Sequence, residues 1–133
     1  MILIDISMDI SHGMPVYRGR EDKRPILRIE RDFTSGDVYE TRIHMDTHTG
    51  THVDAPLHMV RNGAPVNKIA PDKLVTKCRV IDMTAVNEKI KREDLEGKGI
   101  KKGEFILLKT KNSIKEDILE KDFIYLDATG AEY

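Results

Sequence analysis

The sequence predicts a mixed, strand-rich α/β domain, and three observations carry that expectation. Apolar residues fall in short runs and alternations rather than in the long 3.6-residue periodicity of extended helices. Clusters of Gly, Pro, Asn and Asp punctuate those runs. The helical stretches that can be read are brief. This spacing leaves α+β open beside α/β, in either case with a mixed sheet. A chain of 133 residues is long enough to bury a core, and residues 1–133 are expected to form one domain.

Taken in order, Ile2, Leu3, Ile4 and Ile6 make an apolar run that reads as a buried strand. Residues 11–19 carry turn chemistry in His12-Gly13, Pro15 and Gly19, with Tyr17 among them. Residues 26–33 read as a second strand through Ile26, Leu27, Ile29 and Phe33, and Thr34-Ser35-Gly36-Asp37 is a hairpin-type turn. Residues 38–47 then alternate. Tyr39, Ile43 and Met45 fall on one face, and Glu40, Arg42, His44 and Asp46 on the other. On this reading His44 is a polar-face strand residue and His12 a loop residue.

Further on, Asn62-Gly63 marks a turn and residues 71–75 a short helical turn. Residues 77–83 read as a strand in which Cys78 is a small core residue rather than a nucleophile; no histidine or helix N-terminus stands beside it to activate the thiol. Residues 92–97 form a brief helix closed by Gly97. The continuous apolar run 105–108 predicts a strand buried on both faces. Residues 123–126 make another strand, and a helix begins after Asp127.

Composition narrows the function classes. With 22 basic against 23 acidic residues the net charge is −1, so no polyelectrolyte surface argues for nucleic acid or membrane. One cysteine excludes an internal disulfide framework and fits a reducing, cytoplasmic compartment. No apolar stretch approaches a membrane span, and no signal-peptide pattern opens the chain. A Gly-x-Ser-x-Gly nucleophile elbow and a Gly-rich phosphate loop are both missing.

The chemistry concentrates in residues 48–58, His-Thr-Gly-Thr-His-Val-Asp-Ala-Pro-Leu-His, which hold three of the five histidines. Imidazole nitrogens with a carboxylate oxygen suit a divalent zinc or manganese ion. On a flat strand His48 and His52 would stand about 13 Å apart at roughly 3.3 Å per residue, too far to share one. A helix would join them, but Gly50, the β-branched Thr49, Thr51 and Val53, and Pro56 all oppose it. The expected shape is a turn near Gly50, with His52 and Asp54 projecting from one side of a short extended run. Pro56 stiffens the exit that carries His58.

This run resembles the signature of the cyclase family of metal-dependent hydrolases, whose best-understood members are bacterial kynurenine formamidases. Ile4-Asp5-Ile6 with Gly13-Met14-Pro15-Val16-Tyr17-Arg18-Gly19, and later Glu104-Phe105-Ile106-Leu107-Leu108-Lys109-Thr110, are similar to other segments of that family. The resemblance therefore extends through essentially the whole chain. It implies the family's swivelling β/β/α domain and a homodimer or homotetramer with sites near subunit contacts.

For the chemistry, the resemblance implies His48, His52 and Asp54 as metal ligands, Asp54 bridging two ions, and His58 as proton donor and acceptor. A divalent ion lowers the pKa of bound water to about 7 and polarises a carbonyl. An imidazole of pKa about 6.5 can carry a proton to a leaving amine. Tyr17 occupies the rim position where members usually carry a substrate-contacting tryptophan. The implied substrate is a small non-peptide amide, such as the aryl formamide N-formylkynurenine or a cyclic amide. Family domains generally run on, supplying another histidine and a glutamate; every histidine here lies at or before position 58. A C-terminally truncated domain holding at most one tight ion is the expectation. The alternative is a catalytically incompetent metal-binding domain or assembly component.

Overall fold

Three two-stranded pairings organise the computed structural model, which describes residues 2–114 and 123–133. One pairing is antiparallel and two are parallel, so the mixed, strand-rich expectation holds. The chain divides into two units, Met1–Val66 and Asn67–Tyr133.

In the first unit, β1 (Ile26–Arg31) pairs antiparallel with β2 (Glu40–His44). Both strands are shorter than the sequence pattern suggested. The turn between them is built on Asp32, whose Oδ1 accepts from the Thr34 N–H at 2.9 Å. Leu27 stands opposite Ile43 and Ile29 opposite Thr41, while Arg28 faces Arg42. The ribbon thus has an apolar face and a charged one. Glu30 bridges Arg28 and Arg42 at 3.6 and 3.4 Å on the charged side, exposed contacts that contribute little. The register shifts between Ile29 and Arg31, a bulge that absorbs one residue.

The expected strand at Ile2–Ile6 is not formed. Ile2, Leu3 and Ile4 are 87, 72 and 77% exposed, and the segment has no ladder partner among the described residues. An apolar run becomes a strand only where a neighbour accepts its backbone hydrogen bonds. Its ties are Asp5 Oδ1 accepting from the Ser7 N–H and the Ile6 carbonyl accepting from Thr51 Oγ1 at 3.5 Å, beside the Met8 N–H that donates to the same hydroxyl at 2.9 Å. Buried residues described in this unit are Met14, Val16, Pro25 and Thr49, of which Thr49 lies in the turn that carries the histidines and Met14 packs against it.

In the second unit, β3 (Cys78–Asp82) runs parallel to β5 (Phe105–Lys109), and β4 (Lys89–Ile90) runs parallel to β6 (Tyr125–Leu126). Parallel neighbours need a crossover. Between β3 and β5 it holds β4 and α1 (Arg92–Leu95). The Asp94 carboxylate accepts from the Lys91 N–H at 2.8 Å to start α1, and Gly97 at φ 78° lets the chain leave it. The second helix, α2 (Ala128–Glu132), is capped by Asp127 accepting from the Gly130 N–H at 3.0 Å. Both helices stand where the sequence placed them.

Ile81, Met83, Ile90, Leu95 and Ile124 form the core, with Ile106 and Leu108 packed against it. Only one face of the β3–β5 pair meets this cluster. Phe105 is consequently 38% exposed and Val80 59%, so β5 is not buried on both sides as expected. Cys78 is likewise exposed rather than a core residue, because it opens β3 on the same side as Val80. Arg79 braces the loop before β5, donating to the Lys98 and Gly99 carbonyls and to Glu104 Oε2 at 2.7 Å. Among the described residues no helix is long and apolar enough to cross a membrane.

Candidate metal centre

Gly50 makes the turn on which the site depends. Its φ is 60°, a conformation that L side chains rarely adopt. A Cβ there would also lie 3.0 Å from Ile10 Cδ1 and 3.1 Å from Met14 Cε. The two flanking threonines hold the turn from different sides. Thr49, buried, donates to the Asp46 carbonyl at 2.8 Å, and Thr51 accepts from the Met8 N–H.

The folded turn brings the sequence-predicted residues together. His48 Nδ1 lies 2.7 Å from Asp54 Oδ1, and His52 Nε2 lies 3.5 Å from the same oxygen. The His48 ring centroid is 5.2 Å from that of His52 and 3.9 Å from that of His58. One ligand atom each from His48, Asp54 and His58 falls within a 4.8 Å cluster. His58 therefore comes as close as the residues read as ligands. All four side chains reach solvent.

The donor set fits a divalent cation. His52 Nδ1 faces the Gly50 carbonyl at 2.9 Å, and a carbonyl can only accept, so this nitrogen carries the proton. In the neutral ring Nε2 then presents its lone pair beside the Asp54 carboxylate, two acceptors that a cation between them reconciles. A ligating histidine typically donates its other nitrogen to a carbonyl in this way. Nitrogen and oxygen donors of this kind suit zinc or manganese.

Neighbouring charges sit outside the cluster. Lys23 pairs with Asp46, and its hydrogen bond holds the Asp46 carboxyl below the usual carboxylate range. His44 is exposed on β2 opposite Ile26, and His12 Nδ1 meets the Pro25 carbonyl at 3.1 Å. Tyr17 lies in a 3₁₀ turn, Tyr17–Gly19, 45% exposed, with the Arg18 guanidinium 5.1 Å from its ring centre.

His58 is carried by a second 3₁₀ turn, Pro56–His58. The loop returns at Asn62, φ 64°, and closes with the Leu57 N–H donating to the Ala64 carbonyl at 3.2 Å. Sequence reading marked Asn62-Gly63 only as a turn. Its steric fit against Pro56 became visible only in the folded loop.

Comparison with known proteins places the chain in a family. The Cyclase family model matches residues 4–133. The kynurenine formamidase of Salinibacter ruber is 32% identical over 88% of this chain, and that of Erythrobacter litoralis 29% over 97%. A solved structure described as a potential metal-dependent hydrolase with cyclase activity superposes with a TM-score of 0.83 at 40% identity over 98% of the chain. A predicted metal-dependent hydrolase from Bacillus stearothermophilus superposes at 0.80 and 42% identity, also over 98%. The chain spans 55 and 58% of the two formamidases and 60 and 62% of the two structures. By family match, sequence and fold together, this chain belongs to the Cyclase family.

Proposed function

We propose that this chain contributes the metal-holding and proton-handling part of an amidohydrolase that cleaves the carbon–nitrogen bond of a small non-peptide amide. An aryl formamide such as N-formylkynurenine, or a cyclic amide, is the substrate class. The observation that carries this reading is the convergence of His48, Asp54 and His58 within 4.8 Å, with His52 Nε2 at 3.5 Å from Asp54. Relatives named kynurenine formamidase support the amide.

His48, His52 and Asp54 would hold zinc or manganese. When bound, such an ion acidifies water to a pKa of about 7 and polarises a carbonyl. Asp54 Oδ1, 2.7 Å from His48 Nδ1, would orient that imidazole, and the Gly50 carbonyl would orient His52. His58, next to His48 but beyond the rigid Pro56, is free to take a proton from water and deliver it to the leaving amine. Tyr17 offers an exposed ring to the substrate. The two-ion site implied by the family resemblance needs ligands beyond this set, and the cluster found among the described residues offers ligands for one tight ion. A homodimer or homotetramer in the cytoplasm, without nucleic-acid or membrane partners, completes the reading.

Titrating zinc or manganese into the protein while following N-formyl-arylamine hydrolysis tests it. One tight site per chain is expected, with at most feeble turnover that depends on the added metal. Metal binding without turnover would favour the metal-binding or assembly role. Failure to bind either metal would overturn both.

A further inference from the structure

We infer that Gly63 is a positioning residue, holding the His58 imidazole against His48 by a steric fit that no larger residue allows. The inference rests on the reading of His58 as the proton carrier. A Cβ on Gly63 would stand 2.6 Å from the Pro56 carbonyl carbon, 2.7 Å from Leu57 N and 2.8 Å from Pro56 O. These are backbone atoms that no rotamer change can move aside. Gly63 does not need a positive φ; the requirement is space.

The affected peptide is the one linking Pro56 to Leu57, immediately before His58. It is engaged on both sides. The Pro56 carbonyl accepts from the Val60 N–H at 2.8 Å, and the Leu57 N–H donates to the Ala64 carbonyl. The Gly63 N–H donates to the Val60 carbonyl at 2.9 Å, so the glycine is pinned where its missing side chain matters. A methyl at 63 must displace the Pro56–His58 turn. His48, His52 and Asp54 all precede Pro56 and are anchored separately, by the Gly50 turn and the two threonines. The displacement therefore falls on His58 relative to the others.

Ring-proton NMR of the metal-free protein reads this directly, because each imidazole at a 3.9 Å centroid separation shifts the other's protons. In Gly63→Ala the mutual shift of the His48 and His58 ring protons is lost while His12 and His44 keep their positions. Gly36→Ala, which adds a Cβ to open space, moves none of them. Five unchanged histidine signals in a folded Gly63→Ala would overturn the inference. Should that variant not fold, Asn62→Ala loosens the same loop through its φ of 64° without adding bulk at Gly63. Partial loss of the same pairwise shift is then expected, and an unaltered His58 counts against the inference.

In the metal-loaded protein, Gly63→Ala should lower kcat about a hundredfold, the cost of roughly 1 Å of misplacement, with KM and metal content kept. Equal loss of metal and rate would make Gly63 a merely structural residue. A wild type that binds metal but does not turn over removes the proton-carrier reading and leaves the positional result intact.

Discussion

His48 and His58 are ten positions apart in the chain, yet their ring centroids lie 3.9 Å apart at a 41° tilt. His48 also keeps its Nδ1 at 2.7 Å from Asp54. One imidazole is thus tied to the carboxylate and the other lies beside it on its own loop, with no side-chain hydrogen bond among the described residues. On the proposed reading, that asymmetry would separate holding a metal from moving a proton.

His58→Ala is accordingly expected to retain metal and lose about 10²–10⁴-fold in kcat, the usual contribution of a positioned acid–base group. Metal analysis beside steady-state kinetics distinguishes the roles. A variant that also loses its metal would make His58 a ligand.

His52→Ala should do the opposite. Removing Nε2 beside Asp54 takes away a direct donor, so metal affinity should fall by more than the roughly 10–100-fold that loss of an outer partner costs. Equilibrium dialysis of wild type and variant gives the comparison. Equal metal content would mean His52 is an exposed turn residue.

The second unit offers a stability test. Ile90 is 1% exposed at the centre of its core, so Ile90→Ala should cost about 2–5 kcal/mol. Val80→Ala, at a position 59% exposed, should stay within about 0.5 kcal/mol. Urea melts of both variants measure the difference.

Acid should weaken the α2 cap. The Thr129 hydroxyl, and after it the Gly130 N–H, hold the Asp127 carboxyl below its ordinary value. A carboxyl depressed in the folded state adds stability above its unfolded pKa, near 4. That stability is lost as pH falls through the lower folded value. Thermal melts of wild type and Asp127→Asn should therefore differ most near neutrality and converge as the pH drops below 4. A gap that is constant with pH would show that the charge of Asp127 does not matter.

Local chemistry made several elements legible before any coordinates. Gly50 announced the metal turn, Asp127 the start of α2 and Gly97 the end of α1, because each acts through its own backbone neighbourhood. Burial was less legible. The run Ile2–Ile6 looks like a core strand, but a strand exists only with a partner, and composition does not name one. Cys78 and Phe105 were misjudged for the same reason, since β3 and β5 present only one face to the core. β4 escaped notice because Lys89–Ile90 is two residues long and lies between Glu88 and Lys91. At the site, residue types and their spacing pointed to His48, His52 and Asp54. The approach of His58 to His48 depends on how Gly63 seats against Pro56, which spacing cannot express.

Thr51 joins the metal turn to a segment more than forty residues earlier, by accepting the Met8 N–H at 2.9 Å. That amide is consequently a reporter of the turn. Its exchange with deuterium is slowed only while Thr51 holds its place, so opening of the Gly50 turn is registered at position 8. Proteolytic trimming past Met8 would erase the signal and remove one of the turn's restraints together. A hydroxyl in the middle of the histidine run thus couples residue 8 to the order of the candidate ligands.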